Sequence, residues 1–184
     1  MRAFIILLGV LSMVYANDDY QAFVKAYQNG NFEEYKKACH LGKALFSRGE
    51  KDEKFISLIG MACLKADYID MLGLIQSRLY TTDEGRTNAA LFTSILLQKR
   101  LILQYMYDDT DISTLALPVA DHPLSIVFRA IRDGHYKEIS NHPKEIIIEQ
   151  DHTRYRVYID KEKKNKLAID ITTDAGILQE HRYR

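Results

Sequence analysis

The chain has 184 residues, 25 basic and 25 acidic side chains, and a hydrophobic content of 47%. That length and apolar fraction exclude wholesale disorder and suit one domain, or one domain with a small appendage. A balanced charge leaves no electrostatic footprint for nucleic acid or for an anionic membrane.

Residues 1–16 read as a targeting signal. Arg2 supplies a short positive segment, Ala3 to Val14 is an almost unbroken apolar run (AFIILLGVLSMV), and Val14-Tyr15-Ala16 is a small-residue cleavage site. The run is too short for a membrane span, which takes roughly 20 apolar residues, so it is read as a secretory signal peptide cleaved after Ala16. No second long apolar run follows, and no membrane insertion is expected. The mature protein is placed in the periplasm or outside the cell. Loss of Arg2 with the leader moves the chain one unit to the acidic side of neutrality. Cys39 and Cys63 are the only cysteines, and in an exported chain an even number points to a disulfide.

From Asn17 to about His142 the apolar residues recur at helical spacing. Asn17-Asp18-Asp19 offers a cap for a first helix running to Gln28, ended by Asn29-Gly30. Asn31 caps a second helix, with Glu34 three residues on, and that helix stops at Ser47-Arg48-Gly49. Further helices are expected over Glu53–Lys65, Tyr68–Tyr80, Arg86–Tyr107, His122–Arg132 and Tyr136–Asn141. The prolines, Pro118, Pro123 and Pro143, all fall at expected boundaries.

The turns between these helices repeat. Gly30-Asn31-Phe32-Glu33-Glu34-Tyr35 is matched by Ala66-Asp67-Tyr68-Ile69-Asp70-Met71 and by Gly134-His135-Tyr136-Lys137-Glu138-Ile139, at offsets of 36 and 68 residues. Arg100 to Tyr105 stands where an intervening copy would fall, without the small residue, the aromatic or the acid. A period near 34 marks a helix-turn-helix solenoid. On these turns, and on Gly60 and Cys63 before Ala66, the segment from about residue 20 to 141 resembles the tetratricopeptide (TPR-like) and Sel1-like helical-repeat families. The resemblance implies a stack of antiparallel helix pairs with a concave inner surface for a protein or peptide partner. It also places Cys39 and Cys63 on neighbouring helices, second of one copy and first of the next. An irregular helical bundle sharing such turns is the alternative.

After Pro143 the apolar period changes from 3.6 to 2. Glu145–Gln150, Arg154–Asp160 and Leu167–Thr172 read as strands, with Tyr155, Val157 and Ile159 alternating with Arg154, Arg156, Tyr158 and Asp160. Leu167, Ile169 and Ile171 alternate with Lys166, Ala168 and Asp170, and Gly176 to Tyr183 is a candidate fourth strand. The expected fold is mostly α: a TPR-like helix-pair stack over 17–143, followed by a small antiparallel β-meander over 144–184. One meander face is apolar and must dock on the helices or on a partner.

Catalytic chemistry finds no signature. There is no Gly-x-Ser-x-Gly elbow, no Gly-rich phosphate loop, no His-Glu-x-x-His and no Cys-x-x-Cys, so no catalytic residue, metal or cofactor is assigned. His122 and His142 each precede proline at a boundary, where capping or solvent exposure explains them. Arg154, Arg156 and Tyr158, on the polar face of the meander, are the candidate contact residues, set against a plain solvated strand face. The leading expectation is an exported adaptor that binds another protein or peptide. Two others stand beside it. One is a hydrolase or transferase acting on envelope material, with a site between helices and meander drawn from Asp121, His122, His135 and Arg156. The other is a small-ligand carrier with an enclosed apolar cavity.

Overall fold

The computed structural model describes residues 18–176 and 178–183, so the expected leader and its cleavage site lie outside the described residues. Helices come first and an antiparallel sheet closes the C-terminal end. The chain divides into two compact units with their boundary between Ala89 and Ala90, inside one long helix.

The first unit begins with helix α1, described over 18–29, then α2 (Phe32–Ser47) and α3 (Glu53–Lys65). Asn31 caps α2 by accepting a hydrogen bond from the Glu34 N–H at 3.0 Å, as the spacing predicts. Asp52 caps α3 through the Lys54 N–H at 2.9 Å. The buried seam is Phe23 and Ala26 of α1, Ala38 and Leu45 of α2, and Ile56, Ile59 and Ala62 of α3. Gly42 is required where α2 meets this seam: a Cβ there would lie 2.8 Å from Ile59 Cγ2 and 3.1 Å from Phe23 Cε2. Cys39 and Cys63 join α2 to α3 in a disulfide, with Sγ atoms 2.08 Å apart and Cα atoms 4.7 Å apart.

Two expectations about this unit are corrected. The helix expected over Tyr68–Tyr80 is a 3-10 turn, Ile69–Met71, followed by a short α4, Leu72–Gln76. The helix closes locally, with the Ser77 hydroxyl donating to the Leu74 carbonyl at 2.7 Å and the Arg78 N–H to the Ile75 carbonyl at 3.0 Å. Beyond it the buried carboxylate of Glu53 accepts hydrogen bonds from the N–H groups of Tyr80 (3.0 Å), Thr81 (2.7 Å) and Thr82 (2.9 Å), and from the Thr82 hydroxyl (2.7 Å). Thr82 in turn accepts from the Gly85 N–H at 2.9 Å, so the next helix, α5, runs Asp83–Asp108 rather than starting at Arg86. Only glycine fits at 85, since a Cβ would stand 2.4 Å from Glu53 Oε2.

The second unit contains the rest of α5, helix α6 (Pro123–Arg132) and five strands: β1 (Lys137–Asn141), β2 (Lys144–Gln150), β3 (Thr153–Asp160), β4 (Lys166–Thr173) and β5 (Leu178–Tyr183). The strands pair antiparallel in chain order, β1-β2-β3-β4-β5, which is a meander. His122 caps α6 by accepting from the Leu124 N–H at 3.2 Å, with Pro123 in the first turn, where its missing N–H is harmless. Gln98 of α5, fully buried, accepts from the Ser125 hydroxyl at 2.6 Å and donates to the Pro118 carbonyl at 2.8 Å, tying α5, α6 and the intervening loop together.

The third correction is the helix expected over Tyr136–Asn141, which is the edge strand β1. Gly134 has φ +70°, and the His135 N–H reaches back to the Ala130 carbonyl at 2.8 Å, a left-handed helix stop. Asp67, with φ +63°, closes α3 the same way through the Tyr68 N–H and the Cys63 carbonyl at 2.9 Å. The repeated turn therefore encodes the end of a helix and leaves the type of the next element open. After Gly134 the chain pairs with β2 instead of coiling again.

The buried face of the sheet is the one expected to be apolar: Ile146 and Ile148, Tyr155 and Val157, Leu167, Ile169 and Ile171, with Tyr183 from β5. Register places Ile146 opposite Val157, Val157 opposite Ile169, and Leu167 opposite Tyr183. Lys144 is buried at the end of this face, its ammonium 4.2 Å from the centre of the Tyr105 ring and paired with Asp109 at the end of α5.

Replacing either cysteine by alanine should cost about 3 kcal/mol in urea unfolding, and the double replacement no more than a single one, because one cross-link is lost in each case. Glu53 gives a pH signature. Burial acts to raise its pKa, but the hydrogen bonds from Thr81, Tyr80 and Thr82 outweigh it and hold the carboxyl well below its ordinary value of 4.5. A depressed folded pKa means stability that is fully present above the unfolded pKa and lost as the pH falls. Glu53→Gln should therefore be less stable than wild type at neutral pH, and the gap should narrow as the pH drops below about 4.5.

Candidate binding face of the meander

Strand alternation sends Glu145, Ile147 and Glu149 of β2, Arg154, Arg156, Tyr158 and Asp160 of β3, and Ala168, Asp170 and Thr172 of β4 to the outer face. β5 adds Leu178, Glu180 and Arg182, because Leu178 stands opposite Thr172, Glu180 opposite Asp170, and Arg182 opposite Ala168. The three candidate contact residues thus share one face, and the structure divides it into two halves of different chemistry.

One half is a closed ionic network centred on Arg182. Its guanidinium donates to Asp170 Oδ1 at 2.6 Å, to Asp160 Oδ2 at 3.1 Å and to the Tyr158 hydroxyl at 3.0 Å, and stands 3.6 Å from Glu180. The side chains of Arg182, Asp160 and Asp170 are only 14%, 13% and 15% exposed, so these charges are largely withdrawn from water. Burial acts to raise the pKa of Asp160, but the Lys163 N–H and the Arg182 guanidinium hold it below the ordinary carboxylate range. Burial and then the hydrogen bond to Asp170 push the Tyr158 hydroxyl up. The Tyr158 ring has two cations near it, Arg156 at 4.8 Å and Arg182 at 5.6 Å from its centre, and stands opposite the fully buried Ala168 in the ladder.

Arg156 belongs to the boundary between the halves. It forms a two-pronged pair with Glu145, at 2.6 and 3.1 Å, and this pair holds the guanidinium firmly protonated. Arg154 is different. It is exposed, and among the described residues it takes no hydrogen-bond or ion-pair partner. Ile139 and Leu178, 50% and 56% exposed, flank it from the two edge strands. Ile139 reaches this face because β1 carries a bulge between Glu138 and Ser140. Ile139, Ile147, Arg154, Arg156, Thr172 and Leu178 line a hollow of about 480 Å³. A second hollow, of about 410 Å³, shares Ile139, Ile147 and Arg154 with the first and adds His135, Lys137 and Glu149.

Of the residues weighed for catalysis, the structure does not bring Asp121, His122, His135 and Arg156 together. His122 is used as a helix cap and lies 5.9 Å from the Tyr183 ring, on the buried side of the sheet, whereas Arg156 projects from the opposite face. Asp121 is exposed in the loop before α6, and His135 lines the hollow with Arg154. Among the described residues, no group of three His, Cys, Asp or Glu side chains could hold a metal ion. No described helix is long and apolar enough to cross a membrane.

Arg182 and Glu53 escaped the sequence reading. Arg182 could have been found by extending the alternation of β4 through one more hairpin, which sets it opposite Ala168. Glu53 carries no such signal, because three of its four hydrogen bonds come from backbone amides 27 to 29 residues away. The chain matches no family model, no curated protein and no solved structure.

Removing Arg182 takes the cation from Asp160 and Asp170 together, leaving Asp160 only the Lys163 N–H and Asp170 the Tyr158 hydroxyl. Arg182→Ala should destabilise the protein by about 2 kcal/mol, somewhat below the cost of breaking a fully buried pair. Arg182→Lys should recover only part of that loss, since one ammonium cannot serve the fan of acceptors; thermal unfolding of the three proteins checks both.

Proposed function

We propose that this protein is an exported adaptor that holds another protein through the outer face of its meander and performs no chemistry of its own. The observation that carries the reading is the state of that face. Large apolar side chains, Ile139 and Leu178, are left half in water beside Arg154, a guanidinium with no partner among the described residues. Arg156, Asp160 and Asp170 on the same face are engaged in internal ion pairs. Apolar surface ringed by polar groups is what a protein contact buries, and an unpaired arginine is a common anchor within one.

Export is part of the same proposal. A leader cleaved after Ala16 would deliver the chain to an oxidising compartment, where the Cys39–Cys63 cross-link is stable. The TPR-like resemblance adds a helical scaffold of the kind that presents binding surfaces. The hydrolase and carrier readings gain no support of this sort, since Arg156 and His122 occupy opposite faces of the sheet and the two hollows are open to solvent.

A photo-crosslinking amino acid placed at position 139 in the full chain, expressed in its own host, tests the proposal. A discrete higher-mass adduct is expected from position 139, and none from position 74, whose leucine is 60% exposed in the first unit. No adduct at 139, or equal adducts at both positions, rules out the outer face as the contact.

A further inference from the structure

The two hollows on the outer face share three lining residues, so they form one trough crossing the sheet from β1 to β5. Five strands at about 4.8 Å spacing make it roughly 19 Å long, the length of about six extended residues. Its floor is apolar at Ile139 and Ile147 and again at Leu178.

Its charge is asymmetric once internal pairs are removed. Glu145 pairs with Arg156, and Asp170 shares Arg182 with Asp160 and Glu180. In the hollow beside β1 the side chains of Lys137, Arg154 and Glu149 have no hydrogen-bond or ion-pair partner among the described residues, two cations against one carboxylate. Lys137 and Arg154 line the same hollow, with Ile139 and Ile147 alongside. A guanidinium left free there matches a carboxylate in shape as well as charge. Glu149, directly opposite Arg154 in the ladder, repels any second anion. That residue, with the three carboxylates that share the single Arg182 cation nearby, argues against a polyanion such as nucleic acid or an acidic membrane.

We infer that the trough takes an extended peptide segment carrying a single acidic side chain between apolar ones. The acid lies against Arg154 and Lys137, and the apolar side chains lie on Ile139, Ile147 and Leu178. This rests on the binding reading above and adds the chemistry of the ligand.

Three fluorescein-labelled hexapeptides, Leu-Thr-Glu-Thr-Leu-Thr and the same sequence with Gln or Lys for Glu, test it by anisotropy against the oxidised full chain; in an extended chain the two leucines and the acid between them share one face. The Glu peptide should bind at least about tenfold more tightly than the Lys peptide, with Gln between, as expected for a charge-assisted contact. In Arg154→Glu the order should reverse. Because reversal requires a folded face, it separates lost recognition from lost structure. Leu178→Ser should weaken the Glu and Lys peptides alike. Equal binding of the three peptides, or an unchanged order in Arg154→Glu, overturns the inference. Tighter binding of phosphatidylglycerol vesicles or of an oligonucleotide than of the Glu peptide also overturns it. If an adduct forms at position 139 while none of the peptides binds, the adaptor reading stands and this ligand chemistry falls.

Discussion

The outer face of the meander is organised by one guanidinium. Arg182, near the end of the last strand, gathers Asp160 from β3, Asp170 from β4 and the Tyr158 hydroxyl, three acceptors that could not share so small a space without a cation between them. A carboxylate drawn from water needs an opposite charge and hydrogen bonds in good geometry, and Arg182 supplies both to two of them. With those acids satisfied, Tyr158 keeps its place opposite Ala168, and Arg156 is free to pair with Glu145. Beyond this closed half lies the part of the face whose charges have no internal use.

Glu53 plays a comparable part in the first unit, with backbone amides in place of a guanidinium. Its carboxylate collects the N–H groups of Tyr80, Thr81 and Thr82 just before α5 begins. Without an acceptor these amides would be free donors at a helix start, a position that favours an anion. The absence of a side chain at Gly85 is part of the same arrangement, since a methyl group would displace the carboxylate oxygen.

Much of this architecture is legible in the residue pattern. Alternation in β3 and β4 identifies the buried face, and it puts Arg154, Arg156 and Tyr158 together on the other. Two cysteines in a chain with a leader-like start point to a cross-link, found between α2 and α3. The misreadings share a cause. Tyr136–Asn141 reads as a helix because the turn before it matches two earlier ones, yet Gly134 only stops α6, and pairing with β2 decides the rest. The turn over Tyr80–Thr82 is held by the carboxylate of Glu53, 27 residues before Tyr80, which the residues around the turn do not report. Within the candidate site, exposure of Arg154 follows from alternation, but its freedom does not. Arg156 and Tyr158 have equal claim in the sequence and are spoken for by Glu145 and Arg182, which arrive from other strands.

The bulge in β1 has an effect beyond placing Ile139. A regular edge strand offers a continuous ladder of unsatisfied amides and carbonyls onto which a foreign chain can graft itself, the first step of runaway self-assembly. Between Glu138 and Ser140 that ladder is broken, and the strand holds only five residues. The same irregularity that brings Ile139 to the outer face therefore spoils the rim as a template for a grafted strand.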